Sequence, residues 1–163
     1  MAIRKIDYYV GALLSYLINK HERIDPSLFD SSEDSKIVRF DTDNGKFNLF
    51  VKYCGKAVHQ KDGCARWVIS ITSAEYKRFT ESFCLDGYKN LFVVVCSSGT
   101  LTQTEIAVLP FDDALKCMGT DIINEQRRVT IKSVKGSKFL HCYGTGLSDM
   151  QAIKILRNID KQF

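Results

Sequence analysis

Hydrophobic positions in this chain change period several times, and each change marks an element. Between residues 3 and 19, Ile6, Tyr9, Val10, Leu13, Leu14, Leu17 and Ile18 recur at helical spacing and leave one polar face, so an amphipathic helix is expected there. The period then drops to two. A strand over residues 36–41 meets Asn44-Gly45, a strong hairpin signal because both central positions of such a turn want positive φ, and a return strand runs over residues 47–54. Trp67–Ile71 and Leu91–Cys96 are apolar runs, the second too continuous to have a wet face. Between them Thr72-Ser73-Ala74-Glu75 has the spacing of a capping box and opens a helix over residues 73–79. Ser97-Ser98-Gly99-Thr100 turns the chain into a return strand over residues 104–109. A short helix follows Pro110, over residues 112–118, and stops at Gly119.

The last quarter reads as a hairpin of residues 128–134 and 138–143, turned by Lys135-Gly136-Ser137. Gly144-Thr145-Gly146 leads to Ser148-Asp149-Met150-Gln151, a second capping box, and a final helix is expected to about residue 160 with Met150, Ile153, Leu156 and Ile159 on one stripe. Strands come mostly as adjacent hairpins. The pattern predicts an α+β fold: one domain over residues 1–163, with a central mixed, largely antiparallel sheet of about six or seven strands flanked by the N- and C-terminal helices.

Composition adds limits. A chain of 163 residues that is 45% hydrophobic can bury a single core, and its 2 prolines and lack of low-complexity tracts leave no long linker. The N-terminal apolar stretch reads as a core helix rather than a signal peptide. Asp7 interrupts its approach, no small-residue cleavage site follows, and it falls short of the roughly 20 residues a membrane span needs. Cys54, Cys64, Cys84, Cys96, Cys117 and Cys142 are evenly spread with no CxxC pair, which fits free thiols and a cytoplasmic location.

The net charge of +4 is mild, but the charges are grouped. Residues 22–48 hold seven acids against four bases. Lys52, Lys56, Lys61 and Arg66 cluster with His59 against Asp62, and residues 127–138 hold Arg127, Arg128, Lys132, Lys135 and Lys138 with no acid. Such segments are ordinarily the solvated faces of hairpins. If they converge, they form a patch for nucleic acid or an acidic protein, with Lys52, Lys56, Lys61, Arg66, Arg127, Arg128, Lys132 and Lys138 as the phosphate contacts. Tyr8, Tyr9, Tyr53, Tyr76, Tyr88 and Tyr143 supply rings for a stacking or protein-binding surface, or for the rim of the core.

The order helix, strand, strand, strand, helix, strand from Ile3 to Cys96 resembles the core of restriction-endonuclease-like nucleases. The resemblance is topological. It implies an acid near the second core strand and a Glu/Asp-x-Lys at the third, the acids holding Mg²⁺ and the lysine polarising water. Here the strand over residues 66–71 carries no acid, and Lys52 has Phe50 two residues before it where the acid belongs. Asp34-Ser35-Lys36 and Glu75-Tyr76-Lys77 carry the right letters before a strand and on a helix. A divergent nuclease would recruit Asp41, Asp43 or Glu105 instead. Cys54-x4-His59-x4-Cys64 is three-quarters of a zinc knuckle and lacks its first cysteine. Gly144-Thr145-Gly146 reads as a turn and cap, or less readily as a phosphate cradle, since Asp149 repels an anion where a third glycine would stand. His141 and Cys142 point to opposite faces of a strand and form no dyad, and no P-loop, GxSxG or HExxH is present. The reading is a non-catalytic binding module without a resident cofactor and without a membrane. A divergent restriction-like nuclease with Mg²⁺, a zinc site at Cys54, His59 and Cys64, and a protein–protein subunit, a homodimer included, stand as alternatives.

Overall fold

The computed structural model describes residues 2–31, 35–59, 62–99, 103–120 and 126–163, with the side chains of residues 28–31 and 59 left out. It is α+β. Three helices, α1 (Lys5–Lys20), α2 (Ser73–Glu81) and α3 (Phe111–Met118), accompany ten strands among the described residues. The strands are β1 (Asp25–Ser31), β2 (Ser35–Thr42), β3 (Gly45–Cys54), β4 (Val58–His59), β5 (Ala65–Ile71), β6 (Lys89–Cys96), β7 (Glu105–Pro110), β8 (Arg127–Ser133), β9 (Phe139–Gly144) and β10 (Ile153–Leu156). None of the described helices is long and apolar enough to cross a membrane.

The strands form two sheets of five rather than one. In the first, ordered β1-β2-β3-β6-β7, only β3 and β6 run parallel, which makes it mixed and largely antiparallel as the hairpin pattern predicts. A parallel pair needs a crossover, and β5 and α2 supply it. α1 packs Ile6, Val10, Leu13 and Leu17 on one face of this sheet, against Phe40, Leu49, Val51, Val93 and Val95. Its other face carries Ile37, Phe50, Phe92 and Val94 into a second cluster, shared with α2, α3 and the second sheet. Residues 91–96 are buried on both sides, which is why they read as an unbroken apolar run.

The second sheet, β10-β9-β8-β5-β4, buries one face only. Trp67, Ile69 and Ile71 of β5 and Val129 and Ile131 of β8 point inward; Val68 and Ser70 between them are exposed. The Trp67 indole N–H donates to the Ser97 carbonyl at 2.7 Å, so the one polar atom of that ring is satisfied at the join with the first sheet.

Two expectations change. The hairpin after β2 is centred on Asp43 and Asn44, since Thr42 pairs with Gly45, and positive φ falls on Gly45 alone at 122°. The final helix is absent. Ser148 and Gln151 do form their capping box, but it opens a single 3₁₀ turn over Asp149–Gln151, followed by β10 and a second 3₁₀ turn over Ile159–Lys161. Pairing with β9 places Ile153 opposite Cys142 and Ile155 opposite Leu140, and burial of Ile155 on that ladder outweighs the helical stripe, whose first member Met150 is 99% exposed. β1 pairs along β2 at the edge, where Pro26 is tolerated.

One buried ion pair ties the layers. Lys52 of β3 donates to both carboxylate oxygens of Glu75 on α2 and to the Ser70 carbonyl of β5, each at 2.8 Å. Burial pushes the Glu75 carboxyl upward in pKa, but hydrogen bonds from the Lys52 ammonium and the Thr72 amide more than offset it, and the net position is below the ordinary value of 4.5. A depressed folded pKa contributes stability that is complete above 4.5 and is lost as pH falls through the folded value. Glu75→Gln leaves the Lys52 charge buried without its counter-ion and should cost about 3–5 kcal/mol in urea unfolding at pH 7. The gap between variant and parent should narrow on acidification below pH 4.5; a gap that stays constant with pH would show that the carboxylate charge is not what matters.

Candidate functional site

The outward face of the second sheet gathers charge by register alone. Alternation turns Arg66 out of β5, Arg128 and Lys132 out of β8, His141 out of β9 and Lys154 out of β10, because their neighbours Trp67, Val129, Ile131, Cys142 and Ile155 are buried. Arg66 pairs directly with Lys132, Lys132 with His141, and His141 with Lys154. Four nitrogen-bearing side chains thus form one row across four strands, about 15 Å long at ordinary strand spacing. Like charges placed opposite one another destabilise a sheet. Asp149 relieves part of this row: its carboxylate lies 3.0 Å from the Lys132 ammonium and, with the adjacent field, raises the lysine pKa. The Arg66 Nε is buried and has no hydrogen-bond partner among the described residues.

The expected contacts divide. Arg66, Arg128 and Lys132 meet on this face; Lys56 and Lys138 are exposed beside it in sequence and are not part of the row. Lys52 and Arg127 are not surface residues. Lys52 is 4% exposed and held by Glu75 and Ser70, and Arg127 is 9% exposed, stacked 3.6 Å above the Tyr76 ring with its Nε on the Gly119 carbonyl. Both cations turn inward because an acid, a carbonyl or a ring is waiting there, which charge counting along the chain does not reveal. Lys61 lies outside the described residues. Lys154 falls on the expected final helix and outside the two basic segments; the alternation Ile153-Lys154-Ile155 is the sequence signal that turns it to this face.

The metal and catalytic candidates resolve separately. The Cys54 thiol lies near the carbonyls of Lys56 and Val68, Cys64 is buried beside Asp62, and the His59 side chain is outside the described residues. Among the described residues, no group of three or more His, Cys, Asp or Glu is placed to hold a metal ion. Asp41 pairs with Lys46 at the start of β3, whereas Glu105 is level with Cys54 at its end, eight residues on and roughly 26 Å away along the strand. Those acids share no metal; Glu105 meets Arg157 at 3.4 Å instead.

The Gly144-Thr145-Gly146 amides are all spent internally, on the carbonyls of Leu147, Arg128 and Cys117 at 3.0 Å each, so this is a turn and not an anion cradle. Glycine is required there by close approach. A Cβ on Gly146 would lie 2.3 Å from the Lys116 carbonyl oxygen, and one on Gly144 would lie 2.1 Å from that of Arg128.

A groove of about 640 Å³ adjoins the face, with Val68 and Ser70 on its wall and Lys5, Lys56 and Thr72 at its sides. Comparison of this chain with protein-family models, with curated proteins and with solved structures finds no match.

The six thiols are free, and burial pushes Cys117 up to about 12. Gly146→Ala should destabilise the fold by about 2–4 kcal/mol, since backbone must move to admit the methyl group; a melting temperature equal to that of the parent would mean the turn relaxes freely.

Proposed function

We propose that this chain is a non-catalytic binding module for a polyanion, which lies across the outward face of the second sheet. The observation that carries the reading is the cross-strand row Arg66–Lys132–His141–Lys154, with Arg128 four residues along β8 on the same face. Hydrogen-bonding of the strands fixes the backbone spacing of these side chains, which reduces the ordering needed to gather them on one face. The groove beside Val68 and Ser70 extends the cationic surface past the edge of β5 through Lys5 and Lys56. Chemistry on a bound substrate has no comparable support: Glu105 stands at the opposite end of β3 from Asp41, no group of three or more His, Cys, Asp or Glu among the described residues is placed to hold a metal ion, and Glu75 is committed to Lys52.

About four phosphate or carboxylate contacts are expected, so affinity for a polyanion such as heparin should fall by roughly 50–150-fold between 50 and 200 mM salt. The double variant Arg128→Glu, Lys154→Glu should abolish retention at low salt without changing the far-ultraviolet circular dichroism. Unaltered retention by that variant, or none by the parent, would remove this face from consideration. Asp149→Asn releases Lys132 and should tighten polyanion binding by about 2–5-fold.

A further inference from the structure

We infer that the polyanion is a single-stranded nucleic acid whose bases stack along β9, an inference that rests on the polyanion reading and narrows it. β9 turns Phe139, His141 and Tyr143 outward, because Leu140 and Cys142 between them are fully buried. All three rings are half-buried, and none belongs to either core cluster. They stand in single file, about 7 Å apart by the strand repeat. Register gives this file its flanks. His141 lies between Lys132 on β8 and Lys154 on β10, Tyr143 lies beside Thr130 with Arg128 farther along the same strand, and the Lys138 ammonium is 5.7 Å from the Phe139 ring centre.

A file of rings with Lys132 and Lys154 on either side of its middle member, Lys138 beside Phe139 and Arg128 beyond Thr130 matches one polymer chemistry better than others. Bases of a single strand are free to lie on the rings while the phosphates reach the lysines and arginines at either side. A duplex keeps its base faces inside the stack and could use only the cations. An acidic polypeptide likewise pairs with the cations and leaves the rings without a planar partner. Nothing in the row selects a base, since every base has a π face, so recognition should tolerate sequence.

The test measures fluorescence anisotropy of labelled 12-nucleotide oligo-U and oligo-dT, a 12-base-pair DNA duplex and polyglutamate at 50 mM salt. The single strands should bind at least tenfold more tightly than the duplex or polyglutamate. Tyr143→Ala and Phe139→Ala should each weaken single-strand binding about tenfold and leave duplex and polyglutamate binding unchanged, while Tyr143→Phe should bind as the parent does. Because an alanine variant could fail to fold, 4-thiouridine crosslinking is run on the parent chain: crosslinks on Phe139, His141 or Tyr143 support the stacking file, and crosslinks only elsewhere overturn it. Equal binding of single strand and duplex, or retention of polyglutamate alone, would overturn the stacking inference and leave the polyanion reading standing. Binding of none of the four probes would overturn both.

Discussion

The Lys52–Glu75 ion pair is the constraint on which the two-sheet arrangement depends. Lys52 stands on β3 of the first sheet, Glu75 opens α2, and the third bond of the ammonium goes to the Ser70 carbonyl on the outer edge of β5. One charge therefore joins a strand of each sheet and the helix of the crossover. The same Glu75 carboxylate accepts the Thr72 amide at 3.0 Å, so the residue that neutralises Lys52 also completes the cap of α2. Two buried charges are expensive to desolvate, and apolar residues would often be more stabilising in their place. What this pair supplies is position: it holds the end of β5 at Ser70 against β3 and the start of α2.

The apolar layers follow from that placement. Phe50, Phe79, Phe83, Phe92 and Phe111 form a ring cluster between the sheets, with Phe79 and Phe111 centred 4.8 Å apart and Phe50 meeting Phe79 edge-on at 5.3 Å. On the opposite face α1 is tied to β2 by Lys36, whose ammonium holds the Asp7 carboxylate and draws its pKa down to about 2. Buried Asn48 anchors the loop after α2 by donating to the Phe83 carbonyl at 2.7 Å. Both faces of the central strands of the first sheet are thus packed against other elements. The second sheet, covered on one side only, is where an exposed, rigid and charged face can exist, and the candidate site sits there for that reason.

Much of this was legible along the chain. The α1 stripe, the hairpin of β2 and β3, the capped start of α2 and the buried run of β6 all follow from local periodicity and turn chemistry, since each element's pattern is its own. The C-terminal segment was not. Met150, Ile153, Leu156 and Ile159 fit a helical stripe, and only a partner strand with Leu140 and Cys142 waiting to be covered makes Ile153-Lys154-Ile155 extend. The division into two sheets was equally hidden, because strand pairing is a choice among partners far apart in sequence.

The candidate site divides along the same line. Residue types and their grouping in segments 52–66 and 127–138 are properties of the sequence, and so is the alternation that turns Arg66, Arg128 and Lys132 to one side of their strands. Which basic residues share a face was settled in three dimensions. β5 pairs with β8 and sets Arg66 against Lys132, while Lys52 and Arg127 are drawn inside by Glu75 and Tyr76. A lysine carries the same charge wherever it stands in the chain; whether water or a buried carboxylate solvates that charge depends on what the fold brings within 3 Å of it, and no local pattern encodes that neighbour.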